Sequence, residues 1–319
     1  MLALLATLAL SASPEPAKVH IGIYVIDVRS VDLRAQSFSA DLYLWLRYAA
    51  VDDAELAAKL EKVEPINGRF ESREETDRKT IEGQTYVCWR IAGTFFFNAD
   101  LAKYPFDEQV LPIRVESQTL DATEMAFADD GTGGSPEDAK AAKDGRVQLQ
   151  VSEYKLKSVE RVANTARYNT TFGDPERKVG LSTYSRYELR MVFEREAFGY
   201  LVKILLPLLI IIGMAWLVFF LPPDQLDTAA AVAMTALLST MAYNVAVSQQ
   251  MPEVGYLVLS DKFFIGTYVI LFLTLAQTFL TFILQNRGKD ALASKVDRYC
   301  RWGFPVLVFA MFGLVALGR

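Results

Sequence analysis

Four apolar windows in the last part of the chain decide its class before anything else is read. A bilayer is crossed by about 20 consecutive apolar residues, and windows 204–221, 228–252, 263–285 and 302–318 each approach or exceed that length without an internal charge. With their flanks, these place membrane spans at about 198–221, 226–250, 260–285 and 300–318. Charge is partitioned to match. Before residue 200 there are 25 Lys+Arg against 32 Asp+Glu, a net of −7; after it there are 8 against 6, a net of +2. An acidic, polar unit (14–196) therefore precedes an apolar one (197–319). No basic face exists for nucleic acid. A single histidine and two cysteines exclude a His/Cys zinc site, no EF-hand spacing occurs, and neither a metal nor a cofactor is expected.

Loop charges give the orientation. Between the third and fourth spans stand Arg287, Lys289, Lys295, Arg298 and Arg301, opposed by Asp290 and Asp297, on a connection read as about 286–301. The loop between the second and third spans holds Glu253, Asp261 and Lys262. The positive-inside rule keeps the basic loop in the cytoplasm. The acidic unit and the C-terminus then lie outside the inner (plasma) membrane of the cell. Residues 1–13, Leu/Ala-rich and ending Ser11-Ala12-Ser13, read as a secretory signal, with a buried terminal strand as the alternative. Cys88 and Cys300 fall in different units and are expected as free thiols.

The acidic unit reads as strands. Period-two or β-branched runs at 19–27, 38–48, 87–97, 110–115, 147–156 and 184–195 alternate with turn signals at Asn67-Gly68, Asp129 to Gly134 and Gly173-Asp174-Pro175. One helix is expected at 52–61, started by Asp52 or Asp53. Short strands without a βαβ rhythm predict an antiparallel, immunoglobulin-like sandwich.

The second span is not built as a plain anchor. Seven of the eighteen residues from Ala229 to Ala246 are alanine. On a helix, Asp227, Ala231, Thr235, Leu238, Ala242, Val245 and Gln249 fall within about 80° of one another. A stripe that is acidic at one end and apolar further along suits a water-filled tube with a charged mouth and a constriction. A small-residue helix seam fits the stripe equally well, and Asp227 beside Thr228 also suits a helix N-cap.

The run Tyr104-Pro105-Phe106-Asp107-Glu108-Gln109 resembles the Phe-Pro-Phe-Asp signature of pentameric ligand-gated ion channels, the Cys-loop receptor superfamily. Arg195 before the first span, Pro207 inside it, Pro222-Pro223 in the short connection and Pro252 after the second span resemble the family in the same order. The resemblance implies an exported β-sandwich, an all-α four-helix transmembrane domain, and a homopentamer of identical subunits around the second helix. The cysteines that close the family's loop would fall at Phe97 and Leu111, and the third-to-fourth connection is short; both departures resemble the bacterial branch.

Site roles follow from that resemblance. Asp227 becomes a selectivity ring passing monovalent cations, Leu238 and Val245 a gate, and Thr235 with Ala231, Ala242 and Gln249 the rest of the lining. Asp107 and Arg195 become a coupling pair between the domains, with Asp32, Phe106 and Pro252 beside them. Tyr43, Glu116, Tyr168 and Tyr184 become the agonist site, where aromatic faces and one acid suit an organic ammonium. A proton agonist is the other option, although the lone His20 lies in the first strand and position 240 of the second span is Thr240, so a pore histidine is unavailable. The resemblance also implies a cis Tyr104–Pro105 bond. An extracellular enzyme lacks a catalytic grouping. A transporter lacks inverted repeats. A membrane-anchored sensor that does not conduct is the remaining alternative.

Overall fold

The computed structural model describes residues 15–132, 149, 151, 154–173, 182–222, 225–249 and 251–317. The signal reading at 1–13, the turn residues Gly133, Gly134, Asp174 and Pro175, most of the strand expected from 147, Pro223, and the last positions of spans two and four lie outside the described residues.

Among the described residues, nine strands form two facing sheets. The first has the order β4-β5-β2-β1-β7: Gly68–Ile81, Gln84–Phe96, Ser37–Ala49, Ala17–Asp32 and Met125–Asp129. The second has the order β3-β6-β9-β8: Val63–Pro65, Glu108–Ser117, Ser182–Arg195 and Tyr154–Tyr168. Alternation puts Val19, Ile21, Ile23 and Val25 of β1, with Leu42, Leu44 and Leu46 of β2, opposite Ile113, Val115, Leu189 and Met191 of the second sheet, all buried in one core. Helix α1 (Ala54–Leu60) starts at Asp53, whose carboxylate accepts Glu55 N at 2.8 Å and Leu56 N at 3.4 Å.

Two strand expectations change. The sandwich is not wholly antiparallel, because β7 pairs with β1 in parallel. Strand β4 escapes the sequence pattern altogether. Nearly every residue along it is exposed, so no apolar alternation marks it, and its charges blunt a sheet edge.

Four helices follow: α2 (Ala197–Leu217, containing Pro207, then a 3₁₀ turn Val218–Phe220), α3 (Leu226–Ser248), α4 (Leu259–Asn286) and α5 (Asp290–Leu317). Stretches Val202–Phe220, Leu226–Ser248 and Leu259–Asn286 are long and apolar enough to cross a membrane. The connection read as 286–301 is corrected to Arg287, Gly288 and Lys289, for α5 is already helical at Asp290. Gly288 closes α4 at φ 71°, and Lys289 N reaches Leu284 O at 2.9 Å. The charges at 290–301 thus project from a helix, not a loop.

The helices approach one another closely at particular residues. A Cβ on Gly266 would sit 2.0 Å from Met311 Sδ, so α4 and α5 approach at this glycine. Along the buried face of α4, Thr267, Thr274 and Thr278 each donate to the carbonyl one turn back, at 2.8–2.9 Å. The buried stripe of α3 holds Ala229, Ala233, Ala236 and Thr240, the last bonded to its own helix at Ala236 O, 2.9 Å; Ala236 clusters with Leu271 of α4 and Ala215 of α2. At the outer end, Asn244 Nδ2 donates across to Tyr268 Oη at 3.0 Å.

Candidate functional site

Helix α3 is inside-out relative to a surface helix of a soluble protein, which hides large apolar groups and shows small or polar ones. It buries alanines and leaves Asp227, Ala231, Thr235, Leu238, Ala242, Val245 and Gln249 exposed; Leu238 is 62% and Val245 57% open. The structure thus brings the whole expected stripe onto one open face. Two details are corrected. Thr240, counted as a pore position in setting aside a pore histidine, lies on the buried face instead, since a five-residue step turns it about 140° away from Thr235. Asp227 is not the N-cap: Gln225 holds that place, and Asp227 stands exposed in the first turn, where the helix dipole favours a carboxylate.

The outer end of α3 meets the sandwich in a cleft of about 580 Å³, lined by Arg34 and Gln36 from the β1–β2 turn and by Asn244, Ser248, Gln249 and buried Pro252. Beside it, the loop before β6 plugs into the helices. Leu101 and Tyr104 are buried in one apolar cluster with Ile204, Met251, Leu259 and Phe263, and Phe106 packs against its edge. Leu101 N donates to Tyr256 Oη at 3.1 Å. The Tyr104–Pro105 bond is cis, as expected.

Directly behind this plug sits an ion pair with both side chains 1% exposed: Arg195 Nε donates to Asp107 Oδ1 at 2.7 Å. Gln109 Nε2 donates to Asp107 Oδ2 at 2.6 Å, and Arg195 N to Asp107 O at 3.2 Å. Tyr154, opposite Arg195 in the β8–β9 register, hydrogen-bonds the guanidinium, which lies 4.4 Å from its ring centroid and 5.1 Å from that of Tyr104. Buried charges persist only when paired and hydrogen-bonded in this way. Asp32 is engaged elsewhere: exposed at the end of β1, it accepts Ala35 N at 2.8 Å. Tyr154 and Gln109, which no sequence motif marks, complete the group instead.

The expected agonist residues divide between the sheets. Tyr168, Phe172 and Tyr184 form an edge-to-face trio with centroids 5.4–6.2 Å apart at the open end of the β8–β9 hairpin. Beneath it lies Glu116, 2% exposed, which accepts Tyr168 Oη at 3.0 Å and Arg186 Nε at 2.6 Å. Burial first, and then the Glu116 charge, push the Tyr168 phenol above its ordinary value, so it stays a donor. The reading of Glu116 as a free acid for an ammonium group is corrected, because Arg186, directly opposite on β9, already neutralises it. Tyr43 lies on β2 in the other sheet, between Tyr24 and Arg90, so one chain does not bring it to this trio.

Next along β9, Glu188 is 3% exposed between Arg114 Nε and Arg190 Nη2, each at 3.0 Å. Burial opposes its charge, but the hydrogen bonds from Arg190 and Arg114 prevail and hold the carboxyl below the usual carboxylate range. A lowered folded value stabilises fully above the ordinary pKa of about 4.3 and is lost as pH falls through the folded value. Glu188→Gln should therefore lower thermal stability by a constant amount from pH 8 to pH 5, the gap closing only in stronger acid. A gap that changes between pH 8 and 5 in unfolding scans contradicts this.

An acidic β-sandwich whose loop plugs into helices long and apolar enough to cross a bilayer defines a multi-pass membrane protein. No family model matches the chain. It is 24% identical over 317 residues, 94% of its length and 82% of the relative's, to a proton-gated ion channel of Gloeobacter violaceus. It is 22% identical over 216 residues to pH-sensitive chloride channel 2 of Anopheles gambiae, and 21% identical over 224 residues to the gamma-aminobutyric acid receptor subunit rho-2 of Bos taurus. These matches span 33% and 44% of those two relatives. The homologues place the chain in the pentameric ligand-gated ion channel superfamily, which is not enzymatic. Phe97 and Leu111, the positions at which the resemblance would place the family's loop cysteines, are both buried in the sandwich core.

Proposed function

We propose that five copies of this chain surround a cation-selective pore lined by the exposed stripe of α3 and opened from the extracellular domain. The observation that carries the reading is the inverted helix: alanines packed inward, and Asp227, Leu238 and Val245 on the open face. The relatives support gating but divide on selectivity, since one is named as a chloride channel. The acid at the α3 start is what favours cations here. Protons suit this chain better than an amine. Glu116 already has its cation in Arg186, and two of the three relatives are named for their response to protons or pH. Acidifying the outer side of a planar bilayer containing the purified protein should therefore evoke current without added ligand. Current that appears only with an amine at constant pH overturns the proton reading, and no current under either condition returns the chain to the non-conducting sensor.

The apolar zone gives a further expectation. Leu238 and Val245 narrow and dry the pore when closed. Leu238→Thr should wet it, giving a standing current at neutral pH and a shift of activation toward weaker stimulus. A variant that stays shut at rest and keeps the original activation curve removes Leu238 from the gate.

A further inference from the structure

Pro207 leaves a gap in the backbone of α2 that neither the α3 stripe nor the buried ion pair explains. Proline has no N–H, so the bond that position 207 would donate to Lys203 O, one turn back, cannot form. In a bilayer an unpaired carbonyl is costly, and a proline inside a spanning helix is tolerated where a neighbour supplies the missing donor. Tyr243 of α3 supplies it. Its Oη donates to Lys203 O at 2.9 Å, with Ile204 O at 3.3 Å as a second acceptor. The half-buried ring stands edge-on to Phe264 of α4, 5.8 Å between centroids, and packs on the cluster that contains Ile204 and Leu208.

At 100° per residue Tyr243 stands about 120° from the middle of the α3 stripe, and Asn244, which donates to Tyr268 on α4, about 140° the other way. Adjacent residues thus tie α3 to α2 on one flank and to α4 on the other, level with Ala242 and Val245 of the stripe. The two ties are not equivalent. Helix α2 continues directly from β9, and Lys203 lies about two turns beyond Arg195, so the Tyr243 tie is the one that leads from the ion pair to the stripe-bearing helix. We propose that the Tyr243 hydroxyl is a positioning group for gating: it takes the place of the N–H that Pro207 withholds, and it makes the outer half of α3 follow α2. The inference deepens the channel reading and rests on it.

The test compares Tyr243→Phe, Pro207→Ala and the double variant of the full chain, each by unfolding in detergent and by acid-evoked bilayer current. Tyr243→Phe keeps the ring against Phe264 and removes only the donor. It should lower the unfolding midpoint and move half-activation to about fivefold higher proton concentration, since the tie passes on no more free energy than one net hydrogen bond carries. Pro207→Ala restores an N–H for Lys203 O, so adding Tyr243→Phe to it should change neither quantity further. Equal effects of Tyr243→Phe in both backgrounds overturn the proposal, because the hydroxyl then serves something other than the freed carbonyl. A lowered midpoint with an unchanged activation curve overturns the gating role and leaves the bond a structural one. Should the alanine variant not assemble, a ring-fluorinated tyrosine at position 243, a stronger donor of nearly the same shape, must move activation opposite to Tyr243→Phe. A shift in the same direction, or none, overturns the proposal. A purified protein that never conducts sinks the channel reading and the gating role with it, and the unfolding cycle alone then tells whether hydroxyl and carbonyl pair.

Discussion

Arg195→Ala is expected to destabilise the extracellular domain by about 3–5 kcal/mol and to silence acid-evoked current. The reason is the carboxylate left behind. Asp107 is 1% exposed at its side chain, and its carboxylate would keep Gln109 Nε2 and, at 3.4 Å, Tyr154 Oη but lose the guanidinium that balances its charge. Arg195 also ends β9 immediately before α2, so the same side chain anchors the loop that plugs the helices and the strand that leads into them. Stability and coupling can be separated. Replacing both partners by apolar groups, Arg195→Met with Asp107→Leu, removes the orphaned charge and should restore most of the lost thermal stability. It should not restore gating, because the charged side-chain link that ties the loop to the strand is gone. Unfolding scans and bilayer currents on the three proteins decide the matter. A double variant that gates normally would show the pair to be structural only.

Reversal potentials should respond to Asp227 as strongly as gating responds to Arg195. In the proposed pentamer, five exposed carboxylates at one mouth of a narrow tube would repel chloride and concentrate sodium, and a sodium preference of about tenfold or more is expected. Asp227→Glu should keep that preference, Asp227→Asn should reduce it to near parity, and Asp227→Lys should invert it. The graded series guards against a variant that merely distorts the helix start, because each member leaves α3 a polar residue in its first turn. A reversal potential that tracks chloride in the unsubstituted protein would falsify the cation assignment.

What could be read in the sequence was whatever repeats along one element. Hydropathy found the helices, and period-two runs found β1, β2, β5, β6 and β9. Strand β4 was hidden because both of its faces are charged and open, which leaves a polar run with nothing to alternate. The start of α5 was hidden for a related reason: Lys295 and Arg298 project outward from a regular helix, yet a charge count treats them as a loop. Within the site, Asp107, Arg195 and the α3 stripe were legible from motif and helical spacing. Arg186 and Tyr154 were not. Each matters because it stands directly across a strand pair, from Glu116 and Arg195 respectively, and that register is set by two sheets packing together rather than by any local pattern. The same register removed Glu116 from the role of a free acid.

The threonines that line the α3–α4 contact have a mechanical meaning. Each hydroxyl bonds within its own helix, so a displacement of α3 along or around α4 breaks none of those hydrogen bonds and exchanges dispersion contacts such as those of Ala236 with Leu271 and Tyr243 with Phe264. Such a surface is a bearing rather than a latch. The Asn244–Tyr268 bond near its outer end then acts as a pivot. A tilt about that point swings the Asp227 end through a wider arc than the Val245 end, so the far mouth of the tube has the greater freedom to change bore.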